Sequence, residues 1–257
     1  MRLQGQVAVI TGSTRGIGRT IGEVFSAEGA RVVISGRSAE KGVKTVQRIR
    51  DAGGEATFVS CDVADEEAVR SLMETTVRRY GRLTTLVNNV SPLSTIAENL
   101  APIGEMSTTA WEEIVHVGLT GSFFYTTKFA LPKMIESGGG SIINISSSAA
   151  VRAVPGYGAY TTIKSAVHGL TLTTAAEYGK HGIRCNVLML GRVEIPGYAD
   201  HTTQNASEAV LTGYLGTPND VAWASTWLAS DESRYVTGAV IPVDGGYTAH
   251  NIRRRGE

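Results

Sequence analysis

Two cysteines in 257 residues, Cys61 and Cys185, lie far apart in sequence. They give no framework for disulfides and no metal-ligand cluster, so no metal site is expected. Each sits in or beside a strand-like apolar run, and reduced core thiols are the expectation. Neither sign of charge is in excess: 24 basic residues face 24 acidic ones. That balance argues against nucleic acid or an anionic membrane as the main partner and suits a small ligand. Long hydrophobic runs are missing too. No stretch approaches the roughly 20 apolar residues of a membrane span, and the chain reads as a soluble, cytoplasmic protein. Linkers, internal repeats and low-complexity tracts are absent, so residues 1–257 are expected to form one domain.

What the chain does have is rhythm. Short β-branched runs alternate with longer helical patterns, the signature of repeated βαβ units around a parallel sheet. Seven strands are predicted: Val7–Thr11, Arg31–Ser35, Ala56–Cys61, Leu83–Asn88, Ser141–Ser146, Ile183–Leu188 and Ala239–Val243. Between them, Ile17, Ile21, Val24 and Phe25 recur at helical spacing, as do Val69, Leu72, Met73 and Val77; these stripes are core. Gly29, Gly53–Gly54 and Gly81 follow the first three helices, where a left-handed residue can end them. The expected fold is therefore α/β: a Rossmann-type, doubly wound, seven-stranded parallel sheet flanked by helices.

Two segments break the rhythm, Val90–Thr109 and Gly191–Gly216. Both follow strands at their carboxyl ends, where ligands lie in open α/β sheets. The second, with Pro196, Gly197, Tyr198, His201 and Tyr214, is expected to be a substrate loop. The tail carries Arg253, Arg254 and Arg255 and is expected to fray or to contact another subunit.

The run Thr11-Gly12-Ser13-Thr14-Arg15-Gly16-Ile17-Gly18 places three glycines where the first strand turns into a helix. Such a turn lets backbone approach a pyrophosphate at a helix N-terminus. At the end of the second strand, an acid would hold ribose hydroxyls and a base would meet a 2′-phosphate. The residues there are Ser35, Gly36 and Arg37. With no carboxylate present, and Arg15 able to approach from the turn, NADP(H) is favoured over NAD(H).

Tyr160 and Lys164 stand four apart, thirteen residues and more after Ser147. On a helix that spacing puts phenol and ammonium on one face. A fixed cation is expected to draw the phenol's pKa down from about 10 toward a useful range for acid/base work. Ser146 and Ser148 flank Ser147 but face away from it, and Tyr157 lines the pocket.

These residues strongly resemble the short-chain dehydrogenase/reductase family over nearly the whole chain. The matching pieces are the Thr-Gly-x-x-x-Gly-x-Gly turn, Asp62-Val63, Asn88-Asn89, the Ser147, Tyr160 and Lys164 set, and Val243-Asp244-Gly245-Gly246. The resemblance implies that Tyr160 is the acid/base. It implies that Lys164 lowers the tyrosine's pKa and holds the nicotinamide ribose, and that Ser147 polarises the substrate oxygen. It implies cofactor contacts at Gly12, Ser13, Arg15, Gly16, Ile17, Gly18, Ser35, Arg37, Asp62, Val63, Asn89 and Val193. It also implies a homotetramer or homodimer formed through the long central helices and the last strand.

Against the family pattern, Gly118 replaces an asparagine that helps hold a water behind the lysine. Val90-Ser91 stands for Ala-Gly, Leu190-Gly191 for Pro-Gly, and Ile195 for a threonine. A second water is expected in the space left at Gly118 if polar partners remain there, while His116 faces elsewhere. The expected function is NADP(H)-dependent hydride transfer between nicotinamide and a small carbonyl or alcohol. The alternative is an NADP(H)-binding protein with weak or no catalysis. Leu93, Ile96, Val154, Tyr157 and Tyr198 suggest an apolar ligand, with Arg152 and His201 leaving room for a polar group.

Overall fold

The structure is a computed structural model and describes residues 1–195 and 206–249. All seven strands form one parallel sheet in the order β3-β2-β1-β4-β5-β6-β7. They are β1 (Val7–Ile10), β2 (Arg31–Gly36), β3 (Glu55–Ser60), β4 (Thr85–Asn88), β5 (Gly140–Ser147), β6 (Ile183–Leu190) and β7 (Val240–Val243). The order reverses between β1 and β4, which opens a crevice at their carboxyl ends.

Alternation along β1 shows how the sequence builds two layers. Ala8 and Ile10 join one core with Ile21 and Phe25 of α1 (Gly16–Ala27), Val46 and Ile49 of α2 (Ala39–Asp51) and Val221 of α8 (Pro218–Ala229). Val7 and Val9 point the other way, toward Leu72 and Met73 of α3 (Glu66–Tyr80) and Ala130 and Met134 of α6 (Thr126–Glu136). A strand period of two thus buries both faces, as a doubly wound sheet requires.

Helix ends follow local chemistry. Asp65 caps α3 by accepting from the Glu67 and Ala68 amides, and Gly81 closes it at φ +78°. Gly29 and Gly53 also take positive φ. Gly54 does not; a Cβ there would sit 2.1 Å from Ser26 Oγ, so packing explains it. The edge strand β7 carries Pro242, which its position tolerates.

One element was not foreseen. Between α5 (Thr108–Val115) and α6 the chain forms a ten-residue π-helix, His116–Tyr125. Ser122 Oγ donates to the Val117 carbonyl at 2.6 Å, tying together residues five apart. Such wide turns are rare and frequently adjoin functional sites.

Candidate active site

At the crevice, β1 runs into the glycine turn and α1. Gly12 and Gly16 adopt φ of +62° and +55°. A Cβ on Gly12 would lie 2.9 Å from Val90 Cγ2, and one on Gly18 would lie 2.6 Å from both the Gly12 carbonyl and Asn89 Nδ2. Only glycine fits both positions. No side chain caps α1, and its first turn contains no acid, so its N-terminal amides present a positive end suited to a pyrophosphate. The residues present therefore fit a dinucleotide.

Ser13 has a different placement from the ligand contact expected of it. It is fully buried; its hydroxyl donates to the Ile10 carbonyl and accepts from the Ser35 amide, and its own amide donates to the Ser35 carbonyl. Ser13 fastens the turn to β2, and Ser35, also buried, receives it. Asn89 braces the turn from the other side. Its amide nitrogen donates to the Thr11 and Gly12 carbonyls at 3.1 Å each, and its backbone N–H donates to Thr11 Oγ1.

Arg37 is exposed, with Nη1 4.0 Å from Asp62 Oδ2. A surface pair at that distance is worth little and leaves the guanidinium available. Asp62 Oδ1 accepts from the Ala64 amide, while Val63 is buried. Ile17 packs partly into the core. Val193 forms a bridge with Gly216, and two residues on, Ile195 Cγ2 lies 3.5 Å from where a Gly16 Cβ would be. The chain leaving β6 thus approaches the glycine turn.

Ser147 ends β5 and accepts from the Ala149 amide at 3.2 Å, leaving its own O–H to donate. Tyr160 and Lys164 project from the first turns of α7 (Gly158–Tyr178). The Ser147 hydroxyl is near enough to the Tyr160 phenol to favour its phenolate. Lys164 is 3% exposed, donates from Nζ to the Ile145 carbonyl at 3.0 Å, and lies 5.1 Å over the Phe123 ring and 5.8 Å from the Tyr160 ring centre. Burial pushes the ammonium down to about 8.

The expected fall in the phenol's pKa is not what this geometry gives. Burial raises Tyr160 above the ordinary value, and the bond to Ser147 opposes that rise only in part. The physical reason is burial, which disfavours the phenolate, while the Lys164 ammonium donates to the Ile145 carbonyl. Tyr157 stacks edge-on against Tyr160, ring centres 6.1 Å apart. Ser146 faces away as expected, donating to the Lys164 carbonyl at 3.0 Å with His168 Nε2 3.2 Å off. His168, one helical turn after Lys164, was not singled out in the sequence, although that spacing was its signal.

The space behind Lys164 is also changed. Gly118 is buried in the π-helix, and a Cβ there would lie 2.5 Å from Ile163 Cδ1 and 3.3 Å from Pro92 Cγ and Cδ. The second water expected at this position meets two apolar side chains instead. His116 does face elsewhere, with Nε2 3.1 Å from the Ala64 carbonyl.

Pocket walls come from two tied segments: Ala101 bridges to Tyr157, and its amide donates to the Gly156 carbonyl. Leu93 and Val154 are exposed, whereas Ile96 is 4% exposed and belongs to a core cluster, not to the pocket surface. Arg152 is engaged by Tyr247. Pro196, Gly197, Tyr198, His201 and the arginines of the tail lie outside the described residues. Among the described residues, no group of His, Cys, Asp and Glu could hold a metal ion. Both cysteines are free and buried, and burial raises their thiols to about 11 and about 12.

A doubly wound sheet with an open helix end at its switch point, and a tyrosine, a serine and a buried lysine gathered beside it, is the frame of a nicotinamide-dependent oxidoreductase. Comparison with known proteins narrows that class. The family model described as enoyl-(acyl carrier protein) reductase matches residues 12–248, and the chain belongs to the short-chain dehydrogenase/reductase family. It is 38% identical to an NADP-dependent (R)-specific alcohol dehydrogenase of Lentilactobacillus kefiri, over 96% of this chain and 98% of the relative. It is 36% identical to 3beta-hydroxysteroid dehydrogenase 1 of Eggerthella lenta, over 96% and 95%. Among solved structures, a putative short-chain dehydrogenase/reductase from Burkholderia xenovorans superposes with a TM-score of 0.90. That match has 32% identity and covers 98% of this chain and 99% of the other.

Proposed function

We propose that this chain is an NADP(H)-dependent oxidoreductase that interconverts a small carbonyl compound and its alcohol, with Tyr160 as acid/base. The single observation that carries this reading is the buried Lys164 ammonium 5.8 Å from the centre of the Tyr160 ring, with Ser147 beside the phenol. In the reductive direction Ser147 donates to the carbonyl oxygen and Tyr160 gives it a proton. A phenol raised above its ordinary pKa holds that proton at neutral pH. The nicotinamide, when bound, supplies or accepts the hydride.

The glycine turn and the amides of α1 would hold the pyrophosphate, and Arg15 and Arg37 would meet a 2′-phosphate. The identity to an NADP-dependent relative supports that preference. Lys164 would hold the nicotinamide ribose, and Asp62, Val63, Asn89 and Val193 would border the cofactor along the carboxyl edge.

The filled space at Gly118 favours a second reading, an NADP(H)-binding protein with little catalysis. A panel of small ketones, aldehydes and steroid ketones with NADPH and NADH separates the two. The leading reading expects cofactor oxidation with NADPH preferred; tight NADPH binding with no turnover on any substrate would favour the second.

The proposal extends to assembly and location. Among the described residues no helix is long and apolar enough to cross a membrane, and a cytoplasmic homotetramer or homodimer is proposed. Exposed Phe124, Ile135, Leu172 and Val240, on the central helical face and the edge strand, support a subunit interface. Light scattering gives the mass that decides it.

A further inference from the structure

Arg152 was expected to leave room for a polar group on the ligand, and its surroundings suggest the opposite role. It lies five residues beyond Ser147, in the turn that follows β5, with its amide bonded to the Ser148 carbonyl at 2.9 Å. Its Nη1 donates to the Tyr247 carbonyl, and its guanidinium carbon sits 4.3 Å from the centre of the Tyr247 ring. Among the described residues no carboxylate lies within ion-pair distance of it. A half-buried guanidinium held by an aromatic ring and a main-chain carbonyl has one donor and one face occupied and is fixed in its direction.

The contact crosses the catalytic edge. Ser147 pairs in register with Leu190, and Leu190 with Val243. Adjacent strands stand about 4.8 Å apart, so a link from the turn after β5 to the turn after β7 spans about 10 Å over the end of β6. In open α/β sheets that edge faces the ligand.

Tyr247 is rigidly presented. Asp244 accepts from the Gly246 and Thr248 amides and from Thr248 Oγ1, and Tyr247 N–H donates to the Asp244 carbonyl. Burial pushes Asp244 up, but the bonds from Thr248, Gly246 and Tyr247 outweigh it and keep the carboxylate ionised and turned inward. Asp244 is therefore committed to its own turn and does not pair with Arg152. The same turn meets the far end of the substrate loop: a Cβ on Gly245 would lie 2.7 Å from Thr212 Oγ1, and one on Gly246 2.7 Å from Leu211 Cδ1.

We propose that Tyr247 is a specificity-determining residue: by clasping Arg152 across the carboxyl edge of β6, it withholds an anion receptor from the substrate and selects uncharged carbonyl compounds over those bearing a carboxylate. The inference rests on the carbonyl-reductase reading above. Arginine forms bidentate, charge-assisted bonds with a carboxylate when its fork is open, and these exceed what a ring and one carbonyl provide. Removing the ring frees that face and lets the guanidinium turn its remaining donors toward a substrate carboxylate.

The test compares kcat/KM for a β-keto ester and the corresponding free β-keto acid in the full-length enzyme with NADPH. The wild type prefers the ester. Tyr247→Ala, which removes the ring and leaves the main-chain carbonyl in place, raises the acid-to-ester ratio about tenfold or more, the scale of a charged hydrogen bond. Tyr247→Leu, which keeps apolar bulk in the turn, does the same and covers the case in which the alanine variant fails to fold. Tyr247→Phe retains the ring and the carbonyl and leaves the ratio as in the wild type. The double variant Arg152→Gln/Tyr247→Ala returns the ratio to the wild-type value, an outcome that a merely loosened pocket would not give. An unchanged ratio in Tyr247→Ala and Tyr247→Leu, or a gain that persists without Arg152, overturns the proposal while the wild type still reduces the ester. Absence of hydride transfer to either compound in the wild type overturns the carbonyl-reductase reading and this proposal with it.

Discussion

The cofactor half and the proton-handling half of this site are built from different materials. Around the glycine turn the work is done by backbone: Gly12 and Gly16 at positive φ, uncapped amides of α1, and Asn89 and Ser13 bonded to main-chain groups on either side. Around Tyr160 and Lys164 it is done by side chains, some from distant segments: Phe123 lies beneath the ammonium, and Pro92 joins Ile163 of the same helix over Gly118. A backbone site is fixed by where glycine is compulsory. A side-chain site can be refilled, and here apolar side chains close over Gly118.

The largest effect that would break this contrast is expected at Lys164. Lys164→Met should lower kcat by about 100-fold or more, within the range for lost acid/base support. It should also change how stability depends on pH. Folded Lys164 titrates at about 8 against 10.5 for the ordinary group. Between those values the unfolded chain binds the extra proton, so this group's burial costs stability at neutral pH, and that cost fades as pH rises from about 8 to 10.5. The change is at most about 3 kcal/mol. Urea midpoints of wild type and variant at pH 7 and pH 10 check it: the difference between them should move in favour of the wild type at the higher pH. Comparison against the variant also cancels the buried thiols, which titrate in the same region.

Gly118→Asn comes next. Placing a side chain 2.5 Å from Ile163 Cδ1 and 3.3 Å from Pro92 overpacks a buried π-helix, at a cost of about 1–3 kcal/mol. The single variant should lose thermal stability with no gain in kcat. Adding Ile163→Ala should return part of that stability, because the room is then made. Higher kcat in the single variant, with stability intact, would mean that the relay half tolerates the polar group after all.

The smallest effect belongs to the cofactor half. Asn89→Ala removes two donors to the Thr11 and Gly12 carbonyls, each bond worth about 1 kcal/mol. NADPH affinity should weaken several-fold while kcat at saturating cofactor stays within about twofold, since the turn loosens but the tyrosine does not move. A fall in kcat with unchanged affinity would erase the division between the halves.

Much of this was legible beforehand for physical reasons. β-branched runs and glycine punctuation report local backbone preference, and all seven strands lie close to where those runs predict them. The Ser147, Tyr160 and Lys164 set depends on i, i+4 geometry and on a strand end, both local, and the structure brings the three together. What escaped depends on partners far along the chain. Nothing near Gly118 announces that Ile163, 45 positions on, fills its space. The π-helix likewise follows from tight packing, with a Cβ on Gly121 only 2.4 Å from the Val63 carbonyl. Ser13 looked like a ligand because it lies in the motif; its inward rotamer is set by Ser35, 22 positions on. The direction of the Tyr160 shift was missed because sequence shows that a lysine is near but not how deeply the fold buries the phenol.

Single-turnover mixing of the NADPH-loaded enzyme with a reactive ketone tests the central claim most directly. The account predicts cofactor oxidation in one phase for the wild type and a loss of about 10³-fold for Tyr160→Phe, with NADPH affinity retained. Equal rates for the two proteins, or no hydride transfer from a fully loaded wild type, would contradict it.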